Sequence, residues 1–287
     1  MIRTLEPMLG KPAAETRRCD IRDLLDRKAD EGFPREAEQR RISLGTMFRW
    51  ALGQDYIHSD PTAGLASYGR SAPRDRVLSD GEIGLLWPWL SSPELPGGYG
   101  EILKLQLLTG ARCGEIGGLI STEIDQVNWL WTLPSTRSKN GRSRVTPLVG
   151  LARDILKATL VGIEGGPLYA TRSGVPLKAT HLGNALNGRV RPVPIAKFTT
   201  HDLRRTVVTK LADLGIPLET IAAVVGHEPG GPQVRTLIRH YVKTDFVQRK
   251  TAALTVWDRR LRELISPPAL PITSSAEHSN PAVLAAE

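Results

Sequence analysis

One stretch of this 287-residue chain has the pattern of two β-strands, and the segments on both sides of it have the pattern of helices. In VNWLWTLPSTRSKNGRSRVTPL, apolar and polar residues alternate around Lys139-Asn140-Gly141, and Asn-Gly between two strand-like runs is a strong hairpin signal. Elsewhere apolar residues recur at helical spacing, as in HDLRRTVVTKLADLG from His201 onward. The sequence therefore predicts a mainly α fold with one small antiparallel β-sheet.

Changes in composition divide the chain into four parts. Residues 1–65 have the pattern of amphipathic helices, and residues 66–78 form a basic linker rich in proline, glycine and serine. A Ser-x-x-Glu capping box at Ser79 predicts the start of a second domain, which extends over residues 79–265. Residues 266–287 are rich in proline and serine, and they predict a disordered tail.

The net charge of +8 favours a polyanionic partner. The excess of basic residues lies outside residues 1–65, where eleven basic residues meet eleven acidic ones. Residues 135–145 hold four basic side chains and no acidic one, and residues 187–210 hold six against Asp202 alone. We therefore expect DNA phosphates to be contacted from the linker and the second domain. The candidate contacts are Arg70, Arg74, Arg76, Arg137, Arg142, Arg144 and Arg205.

Several classes of protein lack support in the sequence. No apolar run has the length of a membrane span, and MIRTLEPMLGKP lacks the apolar centre of a signal peptide, so a cytoplasmic protein is expected. Cys19 and Cys113 lie far apart without a CxxC pattern, and each is predicted to be a small buried apolar residue. There is no GxxxxGK[ST] loop and no tight cluster of carboxylates with histidine, so neither a nucleotide cofactor nor a metal is expected.

Six residues are candidates for chemistry, although each also has an ordinary structural explanation. Arg112 lies three residues before Glu115, which is the spacing of a surface ion pair, and His201 and Arg204 share a helix face in the same way. A lysine at a hairpin tip commonly serves solubility, and a tyrosine commonly packs its ring while its hydroxyl meets water. The candidates, in chain order, are Arg112, Lys139, His201, Arg204, His227 and Tyr241.

The order and spacing of these motifs carry more information than any one of them. TGARCGE, the SKNG hairpin, HDLRRT, GHE and the tyrosine of RHYVK follow one another, and together they resemble the tyrosine recombinases, which include the phage-type and integrative-element integrases. The resemblance covers about residues 15–265. It implies a tyrosine-recombinase-like catalytic domain preceded by a short helical, SAM-like core-binding domain. It also implies that all six candidates are catalytic, with Tyr241 as the nucleophile and Glu115 supporting an arginine or histidine.

The chemistry of a phosphodiester explains why these residue types suit one another. Its negative charge repels a nucleophile, so two arginines, Arg112 and Arg204, are well suited to neutralise the non-bridging oxygens. The tyrosine hydroxyl is mostly neutral at pH 7, and His201 is the natural base for it. Lys139 on a hairpin is suited to protonate the departing 5′ oxygen. A 3′-phosphotyrosine product would store the bond energy, so no cofactor is needed.

The resemblance implies partners as well. It implies double-stranded DNA attachment sites, a homotetramer on DNA, exchange through a Holliday junction, and accessory directionality or DNA-bending proteins. It further implies integration or excision of a mobile element in the cytoplasm of a bacterium, in association with the nucleoid. A C-terminal helix, here Asp245–Ile265, is expected to pack against a neighbouring protomer.

Three alternatives are weighed against this interpretation, and the first two remain open. Residues 1–65 are shorter than the family's core-binding domain, which has a further helix ahead of the position of Met1, so a truncated and catalytically impaired DNA-binding relic is one alternative. A type IB topoisomerase-like enzyme that relaxes DNA is the second. A helix–turn–helix regulator over VTKLADLGIPLETIAAVVGHEP is the third, but residues 217–225 offer only Glu219 and Thr220 as polar side chains to read bases.

Overall fold

The computed structural model describes residues 10, 12–69, 75–184, 186, 187, 192–226 and 243–266. The chain divides into two compact units, residues 1–74 and residues 75–287, and each has its own apolar core. Among the described residues, no helix is both long enough and apolar enough to cross a membrane.

The first unit is built on two helices, α1 (Arg18–Asp30) and α2 (Pro34–Gly53). Ile21 and Leu25 of α1 and Phe48 of α2 are fully or almost fully buried in its core, as the apolar spacing of these segments predicts. The chain after α2 returns to this pair, because the Tyr68 hydroxyl donates to the Asp26 carboxylate at 2.5 Å.

The second unit contains eight helices and a small sheet among the described residues. Local signals set two of the helix ends. The Ser79 hydroxyl accepts the Glu82 N–H at the start of the first helix, and Gly110, in the left-handed conformation with φ of 66°, follows the second. The elements are α3 (Asp80–Leu90), α4 (Tyr99–Thr109), α5 (Cys113–Gly117), β1 (Ile124–Asp125), β2 (Leu130–Leu133), β3 (Arg144–Pro147), α6 (Gly150–Thr159), α7 (Ala179–Asn184), α8 (Thr200–Asp213), α9 (Leu218–Val225) and α10 (Lys243–Ile265).

The three strands form one antiparallel sheet in the order β1-β2-β3. In the hairpin of β2 and β3, Leu130 lies opposite Pro147 and Leu133 lies opposite Arg144, so residues 134–143 form the connection that carries Lys139. The predicted fold class, mainly α with a small antiparallel sheet, is confirmed.

The last helix, α10, packs inside the second unit. Its Leu254, Trp257 and Leu261 are buried in the core of that unit, and its contact with a neighbouring protomer stays a prediction. The Trp257 indole N–H donates to the Leu107 carbonyl of α4 at 2.8 Å. The Asp258 carboxylate accepts the Leu151 N–H of α6 at 2.8 Å, and it lies so close to Gly150 that a Cβ there would meet it at 2.0 Å. The apolar stripe of α10 is therefore buried inside this unit.

Candidate active site

Four of the predicted catalytic side chains border one cavity of about 350 Å³ in the second unit. They are Arg112, Lys139, His201 and Arg204. Arg112 precedes α5, Lys139 lies between β2 and β3, and the other two lie on the first turns of α8. Because these elements are distant in sequence, only the fold brings the four side chains together.

Arg112 is held by a residue of the helix that it caps. It occupies the N-cap position of α5, two residues after the left-handed Gly110 that ends α4. The Glu115 carboxylate accepts the Arg112 backbone N–H at 3.0 Å and its Nη1 at 2.9 Å. The Arg112 side chain keeps 32% of its surface exposed, so its guanidinium is both oriented and accessible.

Glu115 is buried and serves a second arginine as well. Its carboxylate accepts Arg144 Nη2 from strand β3 at 2.6 Å, while only 5% of the Glu115 side chain is exposed. Burial alone would raise the pKa of the Glu115 carboxyl, but Arg144 and Arg112 outweigh this effect and lower it. The carboxylate is therefore charged at neutral pH and joins two cations.

Arg204 is the most buried cation at the cavity, with 3% of its surface exposed. Its Nη1 donates to the Gly110 carbonyl at 2.8 Å, and its Nη2 donates to the carbonyl of Val225 at the end of α9. Burial, followed by repulsion from Arg112 and Arg144, lowers its pKa to about 10. Arg204 remains charged near pH 7, and no carboxylate among the described residues forms an ion pair with it, which suits it to an incoming anion.

His201 lies one turn before Arg204 on α8 and is exposed. Partial burial of its ring and the positive charges of Arg205 and Arg204 lower its pKa, against the opposing effect of Asp202. The imidazole is therefore neutral at pH 7, the form that accepts a proton. It borders the first cavity and also a second one of about 600 Å³, which Arg205 borders too.

Lys139 is exposed on the connection between β2 and β3. A long side chain on a loop reaches a range of positions, whereas the buried arginines are fixed. The cavity is therefore bordered by two arginines that their acceptors hold in place and by one lysine on a loop.

Comparison with known proteins identifies the family. The model of the phage integrase family matches residues 99–247, which span the cavity and the elements around it. The chain belongs to the phage integrase family. The tyrosine recombinase XerD of Ralstonia nicotianae is 23% identical over 232 residues, covering 76% of this chain and 73% of that protein. The chain is accordingly a tyrosine-type site-specific DNA recombinase.

Solved structures share the fold of this recombinase. A lambda integrase tetramer bound to a Holliday junction superposes with a TM-score of 0.61 at 20% identity, covering 82% of this chain and 70% of that one. The Tn1549 transposon integrase in complex with a circular intermediate DNA has a TM-score of 0.58 at 15% identity, covering 88% of this chain and 92% of that one.

Three of the arginines expected to contact DNA are held by protein acceptors. Arg144 has 10% of its side chain exposed and is bound by Glu115 and the Val225 carbonyl. Arg137 forms two bonds to the Glu123 carboxylate, at 2.7 and 2.8 Å, and others to the Gly118 and Glu115 carbonyls. Arg76 pairs with Glu82 in the same way. Arg137 and Arg76 nevertheless keep 26% and 24% of their side chains exposed, and Arg137 borders the cavity, so the DNA contacts of these arginines stay predictions.

The remaining predicted residues fall into two groups. Arg142 is exposed on the hairpin, and Arg205 keeps 33% of its side chain exposed beside Asp202, so both stay predictions as DNA contacts. His227, Tyr241, Arg70 and Arg74 lie outside the described residues, as does the predicted tail beyond residue 266.

The four other tyrosines of the chain do not border the cavity. Tyr169 is 2% exposed, and burial raises the pKa of its hydroxyl. Tyr68 and Tyr56 belong to the first unit, and Tyr99 starts α4.

Two residues at or near the site, Lys250 and Cys113, are not among the predicted site residues. Lys250 of α10 is 6% exposed, its Nζ donates to the Val145 carbonyl of β3, and burial followed by repulsion from Arg144 lowers its pKa to about 8. Its spacing from the buried Ala253, Leu254 and Trp257 places it on the apolar stripe of α10, a signal the sequence contains. Cys113 borders the cavity, and burial raises the pKa of its thiol to about 12. It is a buried apolar residue as predicted, whereas Cys19 is only half-buried.

Proposed function

We propose that this recombinase cleaves and rejoins double-stranded DNA at attachment sites through a 3′-phosphotyrosyl intermediate, and that it integrates or excises a mobile element. The observation that carries the proposal is that Arg112, Lys139, His201 and Arg204 border one cavity. They supply two oriented guanidiniums, a neutral imidazole and an exposed ammonium on a loop. This set matches the needs of a phosphodiester under attack: charge neutralisation, a base and an acid.

In the proposed reaction, Arg112 and Arg204 bind the non-bridging oxygens of the scissile phosphate. Both guanidiniums are oriented before DNA arrives, Arg112 by Glu115 and Arg204 by two carbonyls. Such preorganisation stabilises the charge that develops in the transition state without a cost of reorganisation at that moment.

The Tyr241 oxygen then attacks the phosphorus, and the bond from phosphorus to the 5′ oxygen breaks. The phenol proton passes to His201, whose lowered pKa keeps it able to accept one at pH 7. Lys139 donates a proton to the 5′ oxygen, which leaves as a hydroxyl. We assign His227 a hydrogen bond to the phosphate or to the tyrosine. Rejoining reverses these transfers when a 5′ hydroxyl of the partner strand attacks the phosphotyrosine.

Arg142 and Arg205 are proposed to contact flanking phosphates, since both keep exposed surface near the cavities. Arg70 and Arg74 of the basic linker are proposed to do the same. We further propose that residues 1–65 form the core-binding domain, that residues 79–265 form the catalytic domain, and that four protomers assemble on two sites with help from directionality or DNA-bending proteins. Cleavage in the bacterial cytoplasm, at the nucleoid, follows from that role.

The test is a nicked duplex that carries an attachment sequence taken from the DNA flanking the gene. The nick lets the cleaved fragment diffuse away, so the wild-type protein accumulates a covalent adduct visible as a shifted band in a denaturing gel. Tyr241→Phe is expected to bind the duplex with unchanged affinity and to form no adduct. Adduct formation by that variant would overturn the assignment of the nucleophile.

The alternatives predict different results in the same assay. A wild-type protein that binds its site and never forms an adduct is a DNA-binding relic. Relaxation of a supercoiled plasmid without an attachment site identifies a topoisomerase-like enzyme instead. Either result contradicts the proposed recombination.

A further inference from the structure

Arg144 is the one side chain among the described residues that contacts the anchors of both proposed phosphate-binding arginines. Its Nη2 donates to the Glu115 carboxylate at 2.6 Å, and this carboxylate also holds Arg112. Its Nη1 donates to the Val225 carbonyl at 3.1 Å, and this carbonyl also accepts Arg204 Nη2. A chain of hydrogen bonds therefore leads from Arg112 through Glu115, Arg144 and the Val225 carbonyl to Arg204.

Arg144 does not reach the cavity itself. It is not among the described residues that border the cavity, and 10% of its side chain is exposed. The guanidinium is therefore placed to act on its neighbouring acceptors rather than to line the cavity. Its planar fork, in contrast, suits two acceptors at once, which a lysine ammonium at the same place does not.

The backbone at the end of α9 is shaped around this side chain. Val225 is the last residue of α9, and Gly226 follows in the left-handed conformation with φ of 68°. A Cβ at Gly226 would lie 2.6 Å from Arg144 Nη1 and 2.9 Å from its Cδ. The Arg144 side chain thus packs directly against the point where the chain leaves α9 toward His227.

The charges around Arg144 also favour a positioning role. Arg112 and Arg144 repel Arg204, Arg144 repels Lys250, and Glu115 is the carboxylate that acts on Arg204. Repulsion from Arg144 contributes to the lowered pKa of both Arg204 and Lys250. Holding like charges together costs free energy, which opposite charge and well-placed hydrogen-bond acceptors between them offset. Arg144 fixes two such acceptors.

We infer that Arg144 is a positioning residue for strand cleavage, which fixes the Glu115 carboxylate and the Val225 carbonyl so that Arg112 and Arg204 address one phosphate. This inference rests on the proposed roles of those two arginines. It replaces the DNA contact that the sequence suggests for Arg144 with an action through its neighbours.

The experiment measures binding and single-turnover cleavage separately, on the nicked duplex described above. Arg144→Gln is expected to bind within about threefold of wild type, because it removes no phosphate contact, and to cleave about 10- to 100-fold more slowly, because a small misplacement of reacting groups has an effect of this size. Arg144→Lys keeps the charge but reaches one acceptor, so it is expected to recover only part of the rate. Rates are compared at a temperature at which every variant is folded by circular dichroism.

A double-mutant cycle shows whether Arg144 acts through Glu115. If it does, Glu115→Gln combined with Arg144→Gln loses less rate than the product of the two single losses, because the effect through Glu115 is counted once, whereas independent roles would multiply the two losses in full. Arg262→Gln is the matched control, since Arg262 also pairs with a carboxylate, that of Asp258 at 2.9 Å, but belongs to the far part of α10. It is expected to cleave at the wild-type rate.

Four results would overturn the inference: wild-type cleavage by Arg144→Gln, a loss of affinity that accounts for the whole loss of rate, multiplicative losses in the double variant, or an equal loss in Arg262→Gln. Should Arg144→Gln fail to fold, Arg144→Lys decides, and a wild-type rate in that variant overturns the inference. Failure of the proposed function would give a different result, because the wild-type protein itself would then form no covalent adduct.

Discussion

Trp257 anchors α10 within its own unit, and its removal has a calculable effect. The side chain is 0% exposed, and its indole N–H donates to the Leu107 carbonyl at 2.8 Å. Trp257→Ala removes this bond and leaves a cavity between α10 and α4, at a cost of about 3–5 kcal/mol in the free energy of unfolding. At about 2–4 °C per kcal/mol for a domain of 150–250 residues, the melting temperature falls by about 6–20 °C.

The assay is thermal unfolding followed by circular dichroism over a wide range of protein concentration. Because α10 packs in its own chain, the loss is expected to be the same at every concentration. If α10 instead joined two copies, the wild-type melting temperature would rise with concentration and the variant would lose that dependence. Val256→Ala is the control, since the neighbouring Val256 is 37% exposed, and we expect it to cost about 0.5 kcal/mol or less. A loss below about 1 kcal/mol in Trp257→Ala would refute the reasoning.

Three further predictions use the same unfolding measurement. In the folded state the pKa of Glu115 is lowered from 4.5. The charged carboxylate therefore stabilises the fold above pH 4.5, and this stabilisation is lost as the pH falls through the lowered pKa. Glu115→Gln should therefore be about 3 kcal/mol less stable than wild type at pH 7 and converge with it in acid; a constant difference would contradict this. The pKa of Lys250 is lowered from 10.5 to about 8, so the unfolded chain holds its proton more tightly between these values. The stability of wild type should rise relative to Lys250→Met across that interval, and equal slopes would speak against a buried charge. Gly226→Ala should lower the free energy of unfolding by about 1–2 kcal/mol, because alanine strains the left-handed backbone. It should lower it further because the added Cβ would clash with Arg144. Gly215→Ala has a similar φ of 75° and nothing within 4 Å of its Cβ, so an equal loss there would refute the contact.

Local signals predicted the elements of the second unit well. The capping box at Ser79 and the Asn-Gly hairpin each correspond to an observed boundary or turn. These signals act over a few residues, through hydrogen bonds and φ values that the sequence specifies directly. The hairpin connection is longer than a two-residue turn, because residues 135–137 form a short 3₁₀ turn of their own before Lys139.

The direction in which each basic side chain points was not predictable in the same way. Arg142 and Arg144 are two residues apart in one basic run, yet Arg142 is exposed and Arg144 is held by Glu115. Arg137 in that run is bound by Glu123. The partners Glu115 and Glu123 lie on other elements, so composition reveals the number of cations and not their acceptors.

By itself, the sequence determined the helical character, the hairpin, the family motifs and the candidates Arg112, Lys139, His201 and Arg204, because short-range spacing and capping chemistry carry that information. Only the tertiary structure decided that these four border one cavity, that Arg144 faces inward, and that α10 is buried in its own unit. The physical reason is that a buried charge or an apolar stripe takes its partner from whichever element folding brings beside it. For Arg144 that partner is a carboxylate on α5, and for α10 it is a carbonyl on α4.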